Sequence, residues 1–504
     1  MVKLSCGLKS RLFDFISPFV GVLLTLAFEP FGYWVFSFIS LAFIFASWQT
    51  LSPGRSALRG FLFGLGFFGA GVSWVFVSVH EFGHASLAIS IIVTFIFVSV
   101  WASFVGLTGY VAGKTFCCLT RPAFFISSSL WILIEYIRGT WFLNGFPWLQ
   151  IAYSQTDSVL AGYAPVLGVY GVGFIVALIA ECLISPFRLL KQGFKIILLF
   201  VLCIGGITLN FYKWTYPAGN EILVSLVQGN IPQDKKWEPS NRDLTLKKYR
   251  ELTQQNWQSE IIIWPETAIP AYYSEVKDDF LALLQNEAIH HKTDIILSLP
   301  VKEEKGDKFN AVMVLGKEPG FYHKNHLLPF GEYLPLQPLS GYIFDRLNLS
   351  GLGRLTSGGN QQLMLKAAGY SFMTSICYED TFGNEQRKGL PDAAFLINVT
   401  NDAWFGNSIE PHQHLQIARM RAIETGRYLL RATNTGVSAI VKPNGQIIAT
   451  APQFETAVIT AKILPMAGMT PYARLGDVPI IIGILLILMI NFWRNTKNKS
   501  NLLS

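Results

Sequence analysis

Charged residues are scarce in this chain of 504 residues. Asp, Glu, Lys and Arg make up 14% of the sequence and hydrophobic residues 51%, whereas about 25% charged residues is usual for a soluble globular protein. This composition excludes an ordinary soluble protein and indicates that much of the chain lies in lipid. The net charge of +7 adds little, because Lys and Arg beside apolar segments supply much of it.

Cysteine is scarce in the most polar part of the chain. Between residues 215 and 470 only Cys377 is present, and the other five cysteines lie outside that stretch. A lone cysteine has no partner there, so a disulfide within this stretch is excluded and a free thiol is expected. Cys377 directly follows the strand-like run Tyr370-Ser-Phe-Met-Thr-Ser-Ile376. We interpret it as a reactive thiol, the alternative being a buried packing residue.

Long apolar runs, in contrast, are abundant. Eight windows are long enough to cross an apolar layer about 30 Å thick, and they lie near residues 11–28, 31–49, 57–79, 87–112, 123–143, 159–186, 194–212 and 478–493. The first window lacks an A-x-A-like cleavage site, so we expect a retained span rather than a signal peptide. The sequence predicts a membrane domain at residues 1–214, a polar domain at 215–470, and a C-terminal span and tail at 471–504.

Positive charge separates the loops between these windows. Lys and Arg occur before the first window and after the second, fourth, sixth and eighth, whereas the opposite loops hold almost none. The positive-inside rule then places both termini in the cytoplasm and the polar domain outside. The cationic residues are Lys3, Lys9, Arg11, Arg55, Arg59, Lys114, Arg121, Arg188, Lys191, Lys195, Arg494, Lys497 and Lys499.

Short β-rich runs alternate with helical runs in the polar domain. Strands are predicted near residues 221–228, 259–264, 294–299, 311–315, 370–376, 394–399, 430–433 and 437–441, and helices near 242–258, 276–291 and 411–425. This alternation predicts an α/β sandwich. The Leu-rich segment 334–352 is too long for a simple connection, and we consider two roles for it, a lid that dips into the membrane or a cap on the core.

Three side chains of the polar domain together could form an acyl-transfer site. Glu266 is a candidate base, Lys324 a candidate cation and Cys377 a candidate nucleophile. A thiol must ionise before it attacks an ester, a nearby ammonium favours the thiolate, and a carboxylate can accept the proton. Taken singly, Glu266 is equally well explained as a charge near a helix start, and Lys324 as a solvated loop cation.

Four segments of the polar domain resemble the nitrilase superfamily. They are Trp264-Pro-Glu-Thr267, Tyr322-His-Lys-Asn-His-Leu-Leu-Pro-Phe-Gly-Glu-Tyr333, Cys377-Tyr-Glu379 and Asn401-Asp-Ala-Trp-Phe-Gly406. More closely, the chain resembles the bacterial apolipoprotein N-acyltransferase family, in which a nitrilase-like domain lies between membrane helices. The segments Gly71-Val-Ser-Trp-Val-Phe-Val-Ser-Val-His80, Gln228-Gly-Asn-Ile-Pro232 and Arg431-Ala-Thr-Asn-Thr-Gly436 extend this resemblance over almost the whole chain.

The resemblance implies an α-helical membrane bundle of about eight spans and a nitrilase-like α/β sandwich in the periplasm, at the bacterial inner membrane. It implies transfer of a fatty acyl chain from a membrane phospholipid, through a thioester on Cys377, to the N-terminal amine of the diacylglyceryl-cysteine of an apolipoprotein. Glu266 would take the proton, and Lys324 would stabilise the oxyanion together with the backbone N–H after Cys377. Two half-reactions through one thioester predict ping-pong kinetics.

Further residues are candidates for substrate binding or for support of the catalytic side chains. Glu332 and Glu379 are alternatively partners in surface salt bridges, and the aromatic candidates are alternatively core residues. No cofactor, metal or nucleic acid is expected. These supporting candidates are Trp237, Glu332, Tyr378, Glu379, Asn401, Trp404 and Phe405.

Three other functions stay open at this point. A non-enzymatic membrane scaffold would tolerate Cys377→Ala without loss of phenotype. A membrane-anchored carbon–nitrogen hydrolase (amidase) would use the same three residues with water or ammonia as the acceptor. A metalloprotease would use His80-Glu-Phe-Gly-His84, which fits the H-E-x-x-H zinc pattern, although a polar interfacial loop explains this segment better. The pattern Gly64-Leu-Gly-Phe-Phe-Gly69 lies inside an apolar window, so it predicts helix packing rather than a nucleotide site.

Overall fold

The structure, a computed structural model, describes residues 6–118, 124–184, 192–346 and 355–503. The chain divides into two compact units. The first, termed the helical unit, comprises the residues up to Phe76, then Ser86–Tyr212, and the residues from Leu475 onward. The second, termed the α/β unit, comprises Val77–Ala85 and Lys213–Arg474.

Apolar helices make up the helical unit, and a helix lies in each of the eight apolar windows. Among the described residues, Leu87–Cys118, Val159–Ile184 and Gln192–Phe211 are long and apolar enough to cross a membrane. A fourth is added if Pro53–Gly71 and Trp74–Phe82, bent by 55°, form one span. Several apolar spans are therefore present, while the count of eight stays a prediction. The main helices are Cys6–Thr25, Val35–Trp48, Pro53–Gly71, Leu87–Cys118, Ile126–Thr140, Ala164–Ile184, Gln192–Phe211 and Val478–Leu503.

Glycines allow these helices to approach each other closely. A Cβ added at Gly64 would lie 2.8 Å from the Cα of Ala102, and one added at Gly66 would lie 1.8 Å from the carbonyl oxygen of Pro18. Neither position can accept a side chain without moving a neighbouring backbone. The helix-packing interpretation of the G-x-G-x-x-G pattern is thus confirmed.

Two six-stranded sheets form the α/β unit. One has the strand order β13-β2-β3-β4-β5-β6 and the other β12-β11-β10-β9-β8-β7, while β1 and β14 form a separate two-stranded ribbon. In each large sheet the three central strands run in parallel, β2 with β3 and β4, and β8 with β9 and β10. The strands are β1 Thr215–Pro217, β2 Ile222–Gln228, β3 Ile261–Ile263, β4 Asp294–Lys302, β5 Lys308–Leu315, β6 Gly320–His323, β7 Leu365–Ala367, β8 Tyr370–Ile376, β9 Phe395–Thr400, β10 Leu429–Thr433, β11 Ala439–Val441, β12 Ile447–Thr450, β13 Ala457–Ile463 and β14 Met466–Gly468.

The core of the α/β unit lies between the two sheets. Val224 and Ile263 from one sheet pack with Phe372 and Val399 from the other, and all four side chains are fully buried. Helices cover the outer face of each sheet through separate apolar clusters. This layering is the predicted α/β sandwich. The helices of this unit are Pro239–Gln254, Tyr273–Val276, Ala282–His291, Leu339–Arg346, Gly383–Gln386, Glu410–Thr425 and Pro471–Leu475.

Strand prediction succeeded where apolar runs are continuous. The strand predicted at residues 370–376 has the predicted bounds, and the helix predicted at 411–425 is Glu410–Thr425. The strand β13 was missed because most of its residues are partly exposed and show no regular alternation. Within the segment 334–352 the structure describes the helix Leu339–Arg346. Three of the apolar residues behind the lid hypothesis, at positions 347, 349 and 352, lie outside the described residues, and the hypothesis stays a prediction.

Removal of one aromatic side chain from between the sheets should destabilise the α/β unit. The Phe372 ring is fully buried and stacks on Phe395 at a centroid distance of 5.8 Å. Phe372→Ala should therefore cost about 3–5 kcal/mol through lost burial and a cavity, and the melting temperature in detergent should fall. The control Leu363→Ala alters a side chain that is 91% exposed and should change stability by no more than about 0.5 kcal/mol. Equal melting temperatures for both variants would contradict the assigned core.

Candidate active site

The cysteine thiol lies at a sharp turn after β8. Cys377 has a backbone φ of 50°, in the left-handed region that residues other than glycine seldom adopt. The chain then makes a short 3-10 helix over Cys377–Thr381. A local hydrogen bond stabilises the turn, since the backbone N–H of Ile376 donates to Oε2 of Glu379 at 2.7 Å. Cys377 is a partly exposed residue that the turn fixes in place.

Glu266 lies just beyond β3, and a side chain from β5 orients its carboxylate. The side-chain amide of Asn310 on β5 donates to Oε1 of Glu266 at 2.7 Å. The Nζ of Lys236, which is buried, donates to the backbone carbonyl of Glu266 at 3.3 Å. The next residue, Thr267, has a φ of 48°, and its N–H donates to Oγ of Ser298 at 3.0 Å. Glu266 is therefore held at both its backbone and its carboxylate.

Lys324 follows β6 and is almost completely buried, with 1% of its surface exposed. Its Nζ donates to Oε1 of Glu332 at 2.8 Å and lies 4.0 Å from Oε1 of Glu266. Its backbone N–H donates to the carbonyl of Asn310 at 2.8 Å. Asn310 thus contacts both Glu266 and Lys324, and the structure brings two of the predicted catalytic side chains together around one residue that the sequence analysis missed.

The charges of this site act on the thiol in opposite directions. Burial and the Glu266 carboxylate raise the pKa of Cys377 to about 12, while Lys324 lowers it. Burial raises the pKa of Glu266, and Lys324 opposes that rise. Burial alone would lower the pKa of Lys324, but Glu332 and Glu266 raise it overall. The thiol therefore keeps its proton at neutral pH, and a carboxylate of raised pKa is a suitable acceptor for it.

Glu379 joins the lysine segment to the cysteine turn. Its Oε1 accepts from the backbone N–H of Asn325 at 2.7 Å and of His326 at 2.9 Å, and from the hydroxyl of Tyr322 at 2.9 Å. Its Oε2 accepts from Ile376, as described above. Burial raises the pKa of Glu379 to about 7, with Lys324 opposing. Glu379 is fully buried and holds Lys324 in position through its neighbours, so it is not part of a surface salt bridge.

The other predicted residues lie in different surroundings. Tyr378 is buried, and its ring lies 5.2 Å from that of Phe382. Asn401 is buried and donates to Oε1 of Gln233 at 2.8 Å. Trp237 is 53% exposed, and Trp404 is 41% exposed with its ring 6.1 Å from that of Phe82. Trp237 and Trp404 therefore offer exposed aromatic surface, as does the partly exposed Phe405, whereas Tyr378 and Asn401 belong to buried networks.

A buried charge cluster lies behind the cysteine and was also missed. We term it the His414 cluster and define it as Asp380, Asp402, His414 and Arg431. The two ring nitrogens of His414 lie 3.0 Å from Oδ1 of Asp402 and 3.0 Å from Oδ1 of Asp380. Arg431 donates to Oδ2 of Asp380 at 3.2 Å and to Oδ2 of Asp402 at 3.0 Å. All four side chains are essentially inaccessible to water.

The sequence carried only a weak signal for these missed residues. Asn310 is a single polar residue in an apolar strand, and Lys236 directly precedes Trp237, which are features that also occur without function. His414 lies two residues after His412, a spacing that puts the two on different faces of a helix. The carboxylates of Asp380 and Asp402, which face the ring nitrogens of His414, come from two other segments of the chain, so local spacing could not reveal them.

One group of side chains has the spacing of a metal site. The sulfur of Cys377, a carboxylate oxygen of Asp402 and a ring nitrogen of His414 lie within 4.8 Å of one another. A neutral imidazole has one donor and one acceptor nitrogen, but both nitrogens of His414 face carboxylate oxygens. The ring therefore carries two protons and has no lone pair for a metal. The arrangement fits a charge network better than a metal centre.

The H-E-x-x-H segment does not form the helix that a zinc protease requires. Ser78–Phe82 is a π-helical turn, and His84 lies beyond it with a φ of 52°. The two histidines are thus not one turn apart on a single α-helix. His80 Nδ1 instead lies 3.0 Å from the carbonyl of Ala85.

Comparison with known proteins connects both units to one family. A family model described as the apolipoprotein N-acyltransferase N-terminal domain matches residues 20–182, and one described as carbon–nitrogen hydrolase matches residues 223–472. The chain is 47% identical over 486 residues to an apolipoprotein N-acyltransferase of Methylococcus capsulatus, covering 95% of this chain and 96% of that protein. It is 40% identical over 480 residues to one of Coxiella burnetii, covering 94% and 98%.

Solved structures with similarity to the chain cover about half of it. Saccharomyces cerevisiae Nit3, a member of branch 10 of the nitrilase superfamily, covers 50% of this chain and 93% of its own, with 19% identity and a TM-score of 0.37. A carbon–nitrogen hydrolase from Helicobacter pylori covers 54% of this chain and 94% of its own, with 16% identity and a TM-score of 0.37.

Loss of the buried ammonium should suppress the reactivity of Cys377. Lys324→Met removes the cation that lowers the thiol pKa and leaves Glu266 and Glu332 uncompensated. We expect alkylation of Cys377 by iodoacetamide to slow at least 10-fold at each pH below 9, because one pKa unit is a tenfold change in thiolate. Peptide mass spectrometry across a pH series measures this rate.

The control for that experiment is Lys366→Met. Lys366 forms an exposed pair with Glu318 at 3.1 Å, and such surface pairs contribute little. Its loss should leave the alkylation profile unchanged. Unchanged alkylation in a folded Lys324→Met variant would show that Lys324 does not act on the thiol.

Proposed function

The chain belongs to the apolipoprotein N-acyltransferase family and is an enzyme that acylates lipoproteins, and from this premise we propose how its residues perform the transfer. Relatives match along both units, whereas the carbon–nitrogen hydrolase alternative accounts only for residues 223–472. The proposal depends above all on one observation, the buried pair of Lys324 and Glu266, with 4.0 Å between Nζ and Oε1, whose charges both act on Cys377.

In the first half-reaction, Cys377 attacks the ester carbonyl of an acyl donor. Glu266 takes the thiol proton as the bond between Sγ and the carbonyl carbon forms. Lys324 and the backbone N–H that follows Cys377 stabilise the oxyanion of the tetrahedral intermediate. The intermediate then collapses with cleavage of the ester carbon–oxygen bond, and Glu266 returns the proton to the leaving alcohol. The products are a thioester on Cys377 and a deacylated donor.

In the second half-reaction, the N-terminal amine of the lipoprotein attacks the thioester. Glu266 takes a proton from the amine, a carbon–nitrogen bond forms, and the carbon–sulfur bond breaks. The thiolate of Cys377 recovers a proton, and the lipoprotein leaves as an amide. Because one product leaves before the second substrate reacts, steady-state kinetics should be of the ping-pong type.

We propose a membrane phospholipid as the acyl donor and the diacylglyceryl-cysteine of an apolipoprotein as the acceptor. The apolar helices of the chain support a donor that is itself a lipid. The exposed aromatic surfaces of Trp237, Trp404 and Phe405 are suited to contact acyl chains or the acceptor. Glu332 and Glu379, with Asn401 and Tyr378 in the buried surroundings, would keep the catalytic side chains in place.

The proposed location is the bacterial inner membrane, crossed about eight times. The membrane domain would comprise residues 1–214, the periplasmic catalytic domain residues 215–470, and the last span with its tail residues 471–504. Both termini would lie in the cytoplasm, as the distribution of Lys and Arg in the loops supports. A phospholipid donor and a lipoprotein acceptor would then reach the enzyme from the outer leaflet.

A covalent intermediate should be detectable on the purified enzyme. After incubation with phospholipid, intact-protein mass spectrometry should show a gain of one fatty acyl chain that hydroxylamine removes. Cys377→Ser should show no hydroxylamine-labile gain, because an oxygen ester resists hydroxylamine under conditions that cleave a thioester. A folded wild-type enzyme that never acquires the adduct, yet transfers an acyl chain to a lipoprotein peptide, would contradict the thioester mechanism.

The base role of Glu266 can be separated from its electrostatic effect. Glu266 raises the thiol pKa, so Glu266→Gln should speed alkylation of Cys377 by a small reagent at neutral pH. The same substitution removes the proton acceptor, so thioester formation from phospholipid should slow at least about 100-fold. Glu304→Gln, in an exposed turn, is the matched control and should change neither rate. Parallel loss of both reactions in Glu266→Gln would indicate misfolding or a purely structural role.

A further inference from the structure

The His414 cluster contacts the cysteine turn by two routes. Asp380 belongs to the 3-10 helix that starts at Cys377. Arg431 also donates to Oδ1 of Asn398 at 2.5 Å, and Nδ2 of Asn398 donates to the carbonyl of Cys377 at 3.3 Å. The cluster is therefore rigidly connected to the backbone that holds the thiol, although no step of the mechanism above uses it.

Charge balance in this cluster depends on the proton that His414 holds. Two carboxylates, Asp380 and Asp402, face one guanidinium, Arg431, and one imidazolium. With the ring doubly protonated the cluster is neutral. With a neutral ring or a neutral replacement it carries one negative charge. Because Asp402 and His414 lie within 4.8 Å of the Cys377 sulfur, that charge would oppose the formation of a thiolate.

The charges that act on His414 come from several elements. Asp380 contacts the ring from the cysteine turn and Asp402 from the segment after β9, while Arg431 on β10 pairs with both carboxylates. Glu410, on the same helix as His414, lies 3.5 Å from Nδ1. Burial and Asp402 raise the pKa of Glu410, so this carboxyl retains its proton more readily than an exposed one and adds little charge.

We propose that His414 is a permanently protonated positioning residue that cancels the negative charge behind Cys377 and so allows the sulfur to ionise during acyl transfer. His414 does not touch the substrate or exchange the transferred proton, which distinguishes its role from that of Glu266. Two cations then favour the thiolate, Lys324 beside Glu266 and the imidazolium within the buried cluster. This inference rests on the proposed role of Cys377 as the nucleophile.

The test compares alkylation of Cys377 in the full-length protein in detergent. His414→Gln should slow the reaction of Cys377 with iodoacetamide at least 10-fold at each pH below the thiol pKa, which is a shift of one pH unit or more. The double variant His414→Gln with Asp402→Asn is neutral again and should return to within about threefold of wild type. His412→Gln, on the same helix and partly exposed, should match wild type.

The double variant distinguishes charge from packing. A wild-type alkylation profile in folded His414→Gln would overturn the proposal. A double variant that reacts as slowly as the single one would also overturn it, because the second substitution restores the charge balance of the cluster but not its packing. If His414→Gln shows no cooperative melting, the same comparison can be made between His414→Asn and the double variant His414→Asn with Asp402→Asn. Identical alkylation profiles for these two variants would overturn the proposal. Iodoacetamide needs neither phospholipid nor lipoprotein, so this result is independent of thioester formation.

Discussion

The burial of one ammonium group, that of Lys324, constrains the rest of the site. A buried cation costs several kcal/mol unless carboxylates compensate it closely. Glu332 at 2.8 Å and Glu266 at 4.0 Å provide that compensation. The segment after β6 and the end of β3 must therefore meet, and Asn310 on β5 fixes the distance between them by contacting both. The ion pairs of Lys324 with Glu332 and Glu266 therefore form only when the sheet that contains β3, β5 and β6 is complete.

The second sheet supplies Cys377, the proposed nucleophile, and Glu379 joins the two halves. Its carboxylate accepts hydrogen bonds from Asn325 and His326, beside the lysine, and from Ile376, beside the cysteine. Neither sheet alone contains the whole site. The fully buried core between the sheets therefore determines how far Lys324 lies from the sulfur. The three side chains can therefore act together only when the sandwich that positions them is intact.

Prediction from the sequence succeeded where a local pattern of apolar residues reflects their burial in the fold. The strand β8 was predicted with its bounds because a continuous run of apolar and small residues ends at Cys377. The strand β6, which ends directly before Lys324, was missed because all four of its residues are partly exposed. The glycines of the G-x-G-x-x-G pattern were interpreted correctly, because Gly64 and Gly66 lie at close contacts between apolar helices. The metal-like spacing near His80 was misleading, since a π-helical turn breaks the required periodicity.

Side chains whose partners come from distant segments could not be predicted in this way. Asp380 lies 34 residues from His414 in the chain, and Arg431 lies 51 residues from Asp380. No single-sequence pattern records such pairings, because each residue alone is an ordinary polar residue. The motifs that resemble the family contain the three catalytic candidates. Asn310, Lys236 and the His414 cluster support these candidates, but the resemblance did not single them out, because they lie outside the motifs or had no role assigned within them.

The three catalytic candidates do not by themselves decide which acceptor opens the thioester. A hydrolase and a transferase need the same base, cation and nucleophile, so the difference must lie in what reaches the acyl group. Lys236 contacts the carbonyl of Glu266, and its neighbour Trp237 is 53% exposed. Trp237 is thus the chain neighbour of a residue that contacts the backbone of Glu266, the proposed base. The choice of an amine over water is therefore best sought in this exposed aromatic surface, and not in the charges around the sulfur.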